Sequence, residues 1–368
     1  GGFIFDVKGS SAFPGNKYHL FIMAFLNSKI CSYFLKILNP TVSFQVGNLK
    51  TLPIIIPNDN VLNEINKLVN ECIEISKEDW DSREISWNFQ KHQLINLIDS
   101  GLIKNALISF NKYWQQKFFI LHKNEERIND ILIKLYGLEH EFSPEIEFGD
   151  ISIQKEEIIV TENSKKNFIT FKNKTIIKQF ISYAIGCIFG RYKPNINNSY
   201  LSNDNIITLF PDKFQNDIEN LFLSFLASTF GENTLNKNIL EIESILESPM
   251  RIYFQKEFYQ DHLRRFKKKP IYWLFCSEYG TFKAFIYINN FNSHQLSFLL
   301  ENYLNNYIYN FQNSKNQAID LFNFEKQINE LKNYQEKLSE IIKKEFFLNP
   351  DSGIITNYKT MSDILFSI

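Results

Sequence analysis

Cysteine is scarce in this sequence, which excludes several kinds of site. Its four cysteines, Cys31, Cys72, Cys187 and Cys276, form no CxxC pair. Such spacing supports neither a paired-cysteine metal site nor the dense disulfide framework of a small secreted domain. We therefore expect all four to be reduced core residues of a cytosolic protein.

A long hydrophobic run is also missing. The longest one, residues 180–190, has 11 residues between Lys178 and Arg191, whereas a membrane span needs about 20. The chain begins Gly1-Gly2-Phe3, with no methionine, basic segment or cleavage site. We therefore expect no secretory signal, and we expect a piece of a longer protein. The sequence predicts a buried helix over 180–190, a cytoplasmic location and no membrane partner.

Neither sign of charge is in excess. Lysine and arginine number 40 and aspartate and glutamate 41, so the formal net charge is −1. This excludes a histone-like protein that binds DNA through bulk charge. The balance hides strong local differences, because residues 139–162 carry −7 and residues 165–193 carry +7.

The common catalytic motifs are absent. The sequence has no GxxxxGK[ST] or GxGxxG loop, no HExxH and no GxSxG, so the usual marks of phosphate, dinucleotide, zinc-hydrolase and serine-hydrolase sites are missing. No two of the six histidines lie three or four residues apart, and we expect no metal site. Glu330-Leu331-Lys332 could suggest a nuclease, but no strand-borne aspartate accompanies it. We expect these to be solvated helix charges.

Aromatic residues are plentiful, at 15% of the chain, which indicates a folded protein. Hydrophobic periodicity predicts an α+β fold that is predominantly helical. The first part is predicted to contain strands at 4–7, 42–46 and 53–57, helices over 18–38 and from residue 59, and further helical segments over 94–138. The rest is predicted to contain helices over 218–230 and 251–269, a β-hairpin over 271–288, and a terminal pair of helices, the second interrupted at Gln335.

Two sets of polar residues could contact nucleic acid. Five cations end the helix predicted over 251–269 and give residues 251–272 a net charge of +5. They either complement the helix dipole or contact DNA phosphates. With one arginine of the 165–193 stretch, the phosphate candidates are Arg191, Arg264, Arg265, Lys267, Lys268 and Lys269. Candidates for reading base edges are Asn16, Lys17, Ser43, Gln45 and Asn48.

The first 57 residues resemble the end of a target recognition domain, as in type I restriction specificity subunits and single-chain adenine methyltransferases. The matching stretches are Phe25-Leu26-Asn27-Ser28-Lys29, Leu38-Asn39-Pro40-Thr41-Val42-Ser43-Phe44-Gln45-Val46-Gly47-Asn48 and Leu52-Pro53-Ile54-Ile55-Ile56-Pro57.

Downstream, a block is similar to the one that follows the recognition domain in PglX-type methyltransferases of bacteriophage exclusion (BREX) systems. This block is Asp79-Trp80-Asp81-Ser82 with Glu84, Ser86-Trp87, Phe89 and His92. Further matches are Asn124-Glu125-Glu126 through Tyr136-Gly137-Leu138, Phe180-Ile181-Ser182-Tyr183-Ala184 through Phe189-Gly190-Arg191-Tyr192, Lys269-Pro270-Ile271-Tyr272-Trp273-Leu274-Phe275, and Asp351-Ser352-Gly353 with Asn357-Tyr358.

This resemblance implies three regions. They are the C-terminal part of a target recognition domain over 1–58, a helical connector over 59–160 that ends in an acidic loop, and a C-terminal α+β domain over 161–368 with a helical hairpin. Double-stranded DNA is the implied partner, together with other BREX proteins and phage DNA-mimic inhibitors.

The resemblance also implies S-adenosylmethionine as the cofactor of a methyltransferase domain that this chain lacks. The only Asn-Pro pairs, Asn39-Pro40 and Asn349-Pro350, are followed by Thr41 and Asp351. Neither offers the aromatic residue that stacks on a flipped adenine. We therefore expect no catalytic site, no bound cofactor and no methyl transfer by this chain alone. The alternative is a protein-interaction scaffold, in which the acidic segment and the terminal helices dock other defence components.

Overall fold

The computed structural model describes residues 11–41, 44–98, 100–161, 168–193, 200–202, 204–210, 216–292, 294–314, 320–344 and 353–367. The chain divides into two units, which are Gly1–Ser86 with Ser109–Lys172, and Trp87–Ile108 with Asn173–Ile368. The three regions predicted from the sequence stay a prediction. The predominantly helical α+β fold is confirmed.

The first unit contains most of the long helices of the N-terminal half. Its elements are α1 (His19–Leu26), α2 (Lys29–Leu38), α3 (Val46–Lys50), α4 (Asp59–Asp81), most of α5 (Ile103–Leu135), β1 (Ile158–Thr161) and β2 (Phe168–Phe171). Strands β1 and β2 pair antiparallel, with Ile158 opposite Phe171. The core of this unit includes Phe21, Phe25 and Ile65, all fully buried.

The single helix predicted over 18–38 is wrong, because the chain forms α1 and α2 with a bend of 66° between them. Ser28 accounts for the break. Its extended backbone starts α2, its hydroxyl donates to the carbonyl of Phe25, and its Oγ accepts from the Cys31 amide at 3.2 Å. Serine is a strong N-cap residue, and here it overrides an apolar pattern that continues across the break.

Two predicted strands of the first segment are also wrong. Of the strand predicted at 42–46, residues 42 and 43 lie outside the described residues and Val46 begins α3, and residues 53–58 have no regular structure. In this stretch Ile55 donates its amide to the Tyr136 hydroxyl at 3.2 Å, so the apolar run is held by a side chain and not by a neighbouring strand. The strand predicted at 4–7 lies outside the described residues.

The helix predicted from residue 59 is confirmed as α4. Its N-cap is Asn58, whose Oδ1 accepts from the Val61 amide at 3.0 Å. An amide or hydroxyl oxygen at this position satisfies one of the amides that the first turn leaves unpaired. Leu62, Ile65 and Val69 follow at helical spacing and are buried, so one face of α4 packs on the core.

The second unit is built around a small sheet covered by helices. Its elements are α6 (Asn173–Ile188), β3 (Ile206–Thr208), α7 (Ile218–Phe230), α8 (Leu235–Leu246), α9 (Met250–Lys256), α10 (Phe258–Arg265), β4 (Tyr272–Cys276), β5 (Lys283–Tyr287), α11 (Gln295–Phe298), α12 (Asn305–Asn313), α13 (Leu321–Lys343) and α14 (Gly353–Thr360). A π-helical segment, Leu299–Leu304, joins α11 to α12. The sheet has the order β3-β5-β4 with antiparallel pairs.

Several predictions for this unit are confirmed. The apolar run over 180–190 lies largely in the buried helix α6, and the hairpin is β4 and β5. The helical pair is also present, since Phe311 of α12 stacks on Phe324 of α13 with ring centroids 4.9 Å apart. Gln335, which interrupts the apolar spacing of α13, donates to Asn305 Oδ1 at 2.7 Å. The helix predicted over 251–269 is instead two helices, α9 and α10.

No single helix in the described part of the chain is long and apolar enough to cross a membrane, although α1 and α2 pass that test together as a bent pair. None of the four cysteines is disulfide-bonded. Cys31 and Cys187 are buried, and Cys72 and Cys276 are half-buried.

Candidate nucleic-acid interface

Helix α10 ends in a turn that carries three consecutive lysines. Phe266 is the C-cap, and Lys267 and Lys268 both have left-handed backbones, with φ of 50° and 59°. The Lys268 amide donates to the Leu263 carbonyl at 2.7 Å, and the Lys267 amide donates to the Arg264 carbonyl at 3.2 Å. These two bonds define a Schellman motif, in which glycine ordinarily occupies the first left-handed position. Lysine occupies it here, so the turn presents a charged side chain at a conformationally costly site.

The cations of this turn are accessible. Arg264, Lys267, Lys268 and Lys269 are exposed, and Arg265 is half-buried. Arg264 Nη1 lies 3.4 Å from Asp261 Oδ1, but its side chain remains 77% exposed. Within the described residues, the three lysines form no ion pair. They are therefore available to a solvated anionic partner.

Arg191 is brought to the same place by a second helix end. Helix α6 also closes with a Schellman motif, in which Gly190 has φ of 72° and the Arg191 amide donates to the Gly186 carbonyl at 2.8 Å. The Arg191 guanidinium carbon lies 4.8 Å from the ring centroid of Tyr192 and 5.6 Å from that of Phe266. Arg191 thus lies beside the C-cap of α10, and we call the six phosphate candidates together the basic surface (Arg191, Arg264, Arg265, Lys267, Lys268 and Lys269).

Glycine is needed in α6 beneath Arg191. A Cβ atom built at Gly186 would lie 2.5 Å from Cε2 of the Tyr192 ring. That distance is far shorter than a van der Waals contact between carbon atoms. Gly186 therefore allows the Tyr192 ring to pack against the helix, and this ring is one of the two that contact the Arg191 guanidinium.

The other lysines of the 165–193 stretch have different contacts. Lys174 pairs with Glu247 at 2.8 Å, and Lys178 pairs with Asp261 at 2.9 Å. Lys165 and Lys166 lie outside the described residues. Aromatic residues of the stretch, such as Phe180 and Tyr183, are fully buried, so these serve the core and not a base-stacking platform.

Two neutral histidines are buried close to the basic surface. Burial, together with the nearby cations Arg265 and Arg191, lowers the pKa of His262 well below its ordinary value of 6.5. Burial and Arg265 lower the pKa of His92 to about 3. Both rings are therefore uncharged at neutral pH. His262 Nε2 accepts from the amides of Ile271 and Tyr272 at 3.1 and 3.3 Å.

His262 was not among the residues predicted from the sequence, because the histidines were considered there only as metal ligands. The available signal was the spacing of Phe258, His262 and Phe266, each four residues apart on one face of a helix. The His262 ring contacts both phenylalanines, with centroids 6.4 Å from that of Phe258 and 4.7 Å from that of Phe266.

The base-reading candidates lie in the first unit and mostly have local contacts. Lys17 Nζ pairs with Asp59 Oδ1 at 2.9 Å, and Asn48 Oδ1 accepts from the Gln45 amide at 3.0 Å. Gln45 precedes α3 as its N-cap, and Asn16 is exposed. Ser43 lies outside the described residues. A role in base reading stays a prediction for all five.

Glu330 is not the solvated helix charge that the sequence predicted. Its side chain is buried in the second unit and accepts hydrogen bonds from the amides of Tyr279 and Thr281 at 2.8 and 3.3 Å. The hydroxyls of Ser277 and Thr281 also donate to it. Burial raises the pKa of this carboxyl, but these donors together outweigh burial and leave it below the ordinary value. Glu330 therefore holds the β4–β5 turn and is no helix surface charge.

Within the described residues, no group of three histidine, cysteine or acidic side chains is arranged to hold a metal ion.

Comparison with known proteins shows which proteins this chain resembles along its length. Adenine-specific methyltransferase PglX from Lacticaseibacillus casei (strain Zhang) is 31% identical over 97% of this chain and 32% of its own length. Adenine-specific methyltransferase BrxX from Escherichia coli O9:H4 (strain HS) is 27% identical over 99% of this chain and 34% of its own length. Nearly all of this chain is similar to PglX-type methyltransferases. The resemblance drawn from the sequence motifs is thereby confirmed.

The PglX-like chain spans about a third of the length of these two relatives. Trigger factor from Buchnera aphidicola subsp. Acyrthosiphon pisum (strain APS) is 30% identical over 53% of the chain and 45% of its own length. No family model matches. Of these relatives, the two methyltransferases match nearly the whole chain, whereas trigger factor matches about half of it.

Two of the PglX-like sequence blocks contribute to the basic surface. The block that ends in Gly190, Arg191 and Tyr192 supplies the arginine and one of its two aromatic contacts. The block that begins at Lys269 supplies the last lysine of the turn and the two backbone amides that donate to His262 Nε2. These blocks are far apart in sequence and meet in the second unit.

The Asp79 block has a structural role in the first unit. Asp79 is buried, and its Oδ1 accepts from the Gln154 backbone amide at 2.9 Å and from the Gln154 side chain at 2.8 Å. Arg83 pairs with Asp79 at 3.2 Å and with the buried Glu157 at 3.4 Å. The acidic 139–162 segment is thus tied to the end of α4, and part of its charge is neutralised internally.

Proposed function

We propose that this PglX-like chain is the DNA-recognition and DNA-holding region of an adenine-specific (N6) DNA methyltransferase of an anti-phage BREX system. The observation that carries the proposal is the basic surface. Arg191, at the end of α6, contacts Phe266 at the end of α10, and the three lysines of the turn that follows are exposed without ion pairs among the described residues.

Such a surface suits the phosphate backbone of duplex DNA. Cations that neutralise phosphates release condensed counterions, and this supplies most of the affinity that does not depend on sequence. Contacts of this kind position a protein on DNA, whereas base-edge contacts specify the site. We assign positioning to the basic surface and base reading to the first segment, with Asn16, Lys17, Ser43, Gln45 and Asn48 as candidates.

Methyl transfer is assigned to a methyltransferase domain outside this chain, which would bind S-adenosylmethionine. The similarity to PglX and BrxX supports a methyltransferase-related role, and the absence of an aromatic residue after either Asn-Pro pair supports placing the catalytic loop elsewhere. The proposed setting is the cytoplasm, where the chain would meet double-stranded DNA, other BREX proteins and phage DNA-mimic inhibitors.

Duplex binding by a neutralised variant tests the proposal. The variant carries Arg264→Gln, Lys267→Gln, Lys268→Gln and Lys269→Gln. A matched control carries Lys237→Gln, Lys332→Gln, Lys337→Gln and Lys343→Gln, four exposed lysines of α8 and α13. Both variants lose four positive charges, so only the position of the charges differs.

We expect the unmodified chain and the control to bind a short duplex at low salt, and the neutralised variant to bind at least about tenfold more weakly. Equal weakening in the two variants would mean that bulk charge and not this surface holds DNA. No duplex binding by the unmodified chain at low salt would favour the protein-interaction scaffold.

A further inference from the structure

The basic surface has two arms, and one buried side chain contacts the supports of both. The first arm is the lysine turn after α10, and the second is Arg191 after α6. His262 lies on the buried face of α10, with 1% of its surface exposed. It is uncharged, and its Nε2 atom and its ring face make different contacts.

The ring nitrogen fixes the far end of the lysine turn. The near end is closed by the Schellman bonds from Lys267 and Lys268. The far end is closed where the chain enters β4, because His262 Nε2 accepts from the amides of Ile271 and Tyr272. Only the uncharged ring can accept there, since both nitrogens of a protonated imidazole are donors. The lysines are therefore held between two anchored ends.

The ring face supports the second arm. His262 lies between Tyr272, with ring centroids 4.8 Å apart and planes at 24°, and Phe266, with centroids 4.7 Å apart. Phe266 in turn lies under the Arg191 guanidinium. A column of ring contacts therefore runs from Tyr272 of β4 through His262 and Phe266 to Arg191, which also contacts Tyr192.

We propose that His262 is a positioning residue that holds Arg191 and the lysine turn at the spacing needed to contact neighbouring phosphates of a DNA duplex. This inference rests on the proposed function. Duplex phosphates have a fixed spacing, and cations that are already in place lose less conformational entropy on binding than mobile ones. His262 does not itself contact DNA.

Two substitutions separate positioning from folding. His262→Gln places an amide oxygen near the position of Nε2 and keeps an acceptor for the two amides, whereas His262→Leu keeps the volume and removes the acceptor. Binding to a short duplex is measured from about 50 to about 200 mM salt. Circular dichroism and urea unfolding establish that each protein is folded under the binding conditions.

The readout is the slope of log affinity against log salt concentration, which reports the number of phosphates contacted at about 0.9 per contact. We expect the slope of His262→Leu to fall by about two contacts, with an affinity at least about tenfold lower. We expect His262→Gln, which keeps the acceptor for the two amides but lacks the ring beside Phe266, to lose about one contact and to bind with an affinity between those of the unmodified chain and His262→Leu. A folded His262→Leu protein with an unchanged slope would overturn the inference while leaving the proposed function intact.

If His262→Leu does not fold, a second comparison tests whether the ring column positions Arg191. Arg191→Gln and Phe266→Leu are measured singly and together, because coupled residues give non-additive effects. If the arginine acts through the ring column, the double variant binds no more weakly than Arg191→Gln alone. Additive losses would show that Phe266 does not position Arg191. Absence of duplex binding by the unmodified chain would instead contradict the proposed function itself.

Discussion

At the scale of single residues, the basic surface depends on side chains in unusual positions. Lys267 and Lys268 adopt left-handed backbones, which non-glycine residues seldom do because Cβ crowds the following carbonyl. The sequence predicted a cluster of cations at a helix C-terminus, but it did not predict that the helix would end at Arg265 in a left-handed turn, since no glycine marks that end.

Lys267→Gly separates the charge of this turn from its stability. We expect the free energy of unfolding to rise by about 0.5–1 kcal/mol, because glycine adopts the left-handed conformation without the Cβ penalty. Duplex binding should weaken at the same time, with the salt slope reduced by about 0.9. Urea unfolding and binding titrations measure the two effects. A loss of stability would show that the lysine side chain itself stabilises the turn.

The two buried histidines predict a loss of stability in mild acid. Because the folded state lowers the pKa of His92 and His262, their contribution is complete above the unfolded value of 6.5 and falls as the pH decreases below it. Between pH 7.5 and about 5.5, each should cost about 1.4 kcal/mol of unfolding free energy. Urea unfolding across this range measures the loss.

The matched control for this prediction is His262→Gln, which cannot titrate. About half of the acid-induced loss should disappear in this variant. A stability that stays constant between pH 7.5 and about 5.5 would contradict the assignment of both rings as buried and neutral.

At the scale of elements, the sequence predicted best where apolar periodicity and a turn signal coincide. The β4–β5 hairpin combines two apolar strands with Ser277-Glu278-Tyr279-Gly280, and α7 covers residues 218–230 as predicted, with Gly231 as its C-cap. It predicted worst in the first segment, where apolar residues alone suggested a continuous helix and a strand. Asn27 and Ser28 divide α1 from α2, and the apolar residues 54–56 lie outside any strand.

The hairpin also depends on an element distant in sequence. Glu330 of α13 accepts from the β4–β5 turn, and charge-assisted bonds of this kind are stronger than neutral ones. Glu330→Gln should lower the free energy of unfolding by about 2–3 kcal/mol, because the amide places donors against donors. Urea unfolding checks this, with Glu336→Gln on an exposed position of the same helix as the control. Equal effects of the two substitutions would contradict this role.

At the scale of the whole molecule, the net charge is near zero because acidic and basic segments of the chain offset one another. Arg83 and Lys178 pair with acidic residues of their own units, while the lysine turn remains exposed. Segment sums from the sequence located the turn but could not distinguish paired from available cations. They also could not predict that Arg191 joins it, because that requires two helix ends to meet in space.

Lysine acetylation with and without duplex DNA tests the central claim most directly. Both reactions are run on the unmodified chain at low salt and read by mass spectrometry, residue by residue. The account predicts that duplex protects Lys267, Lys268 and Lys269 from acetylation and leaves Lys332 and Lys337 of α13 as reactive as before. Unprotected lysines in the turn, with bound duplex present, would contradict the assignment of the DNA-holding role to the basic surface.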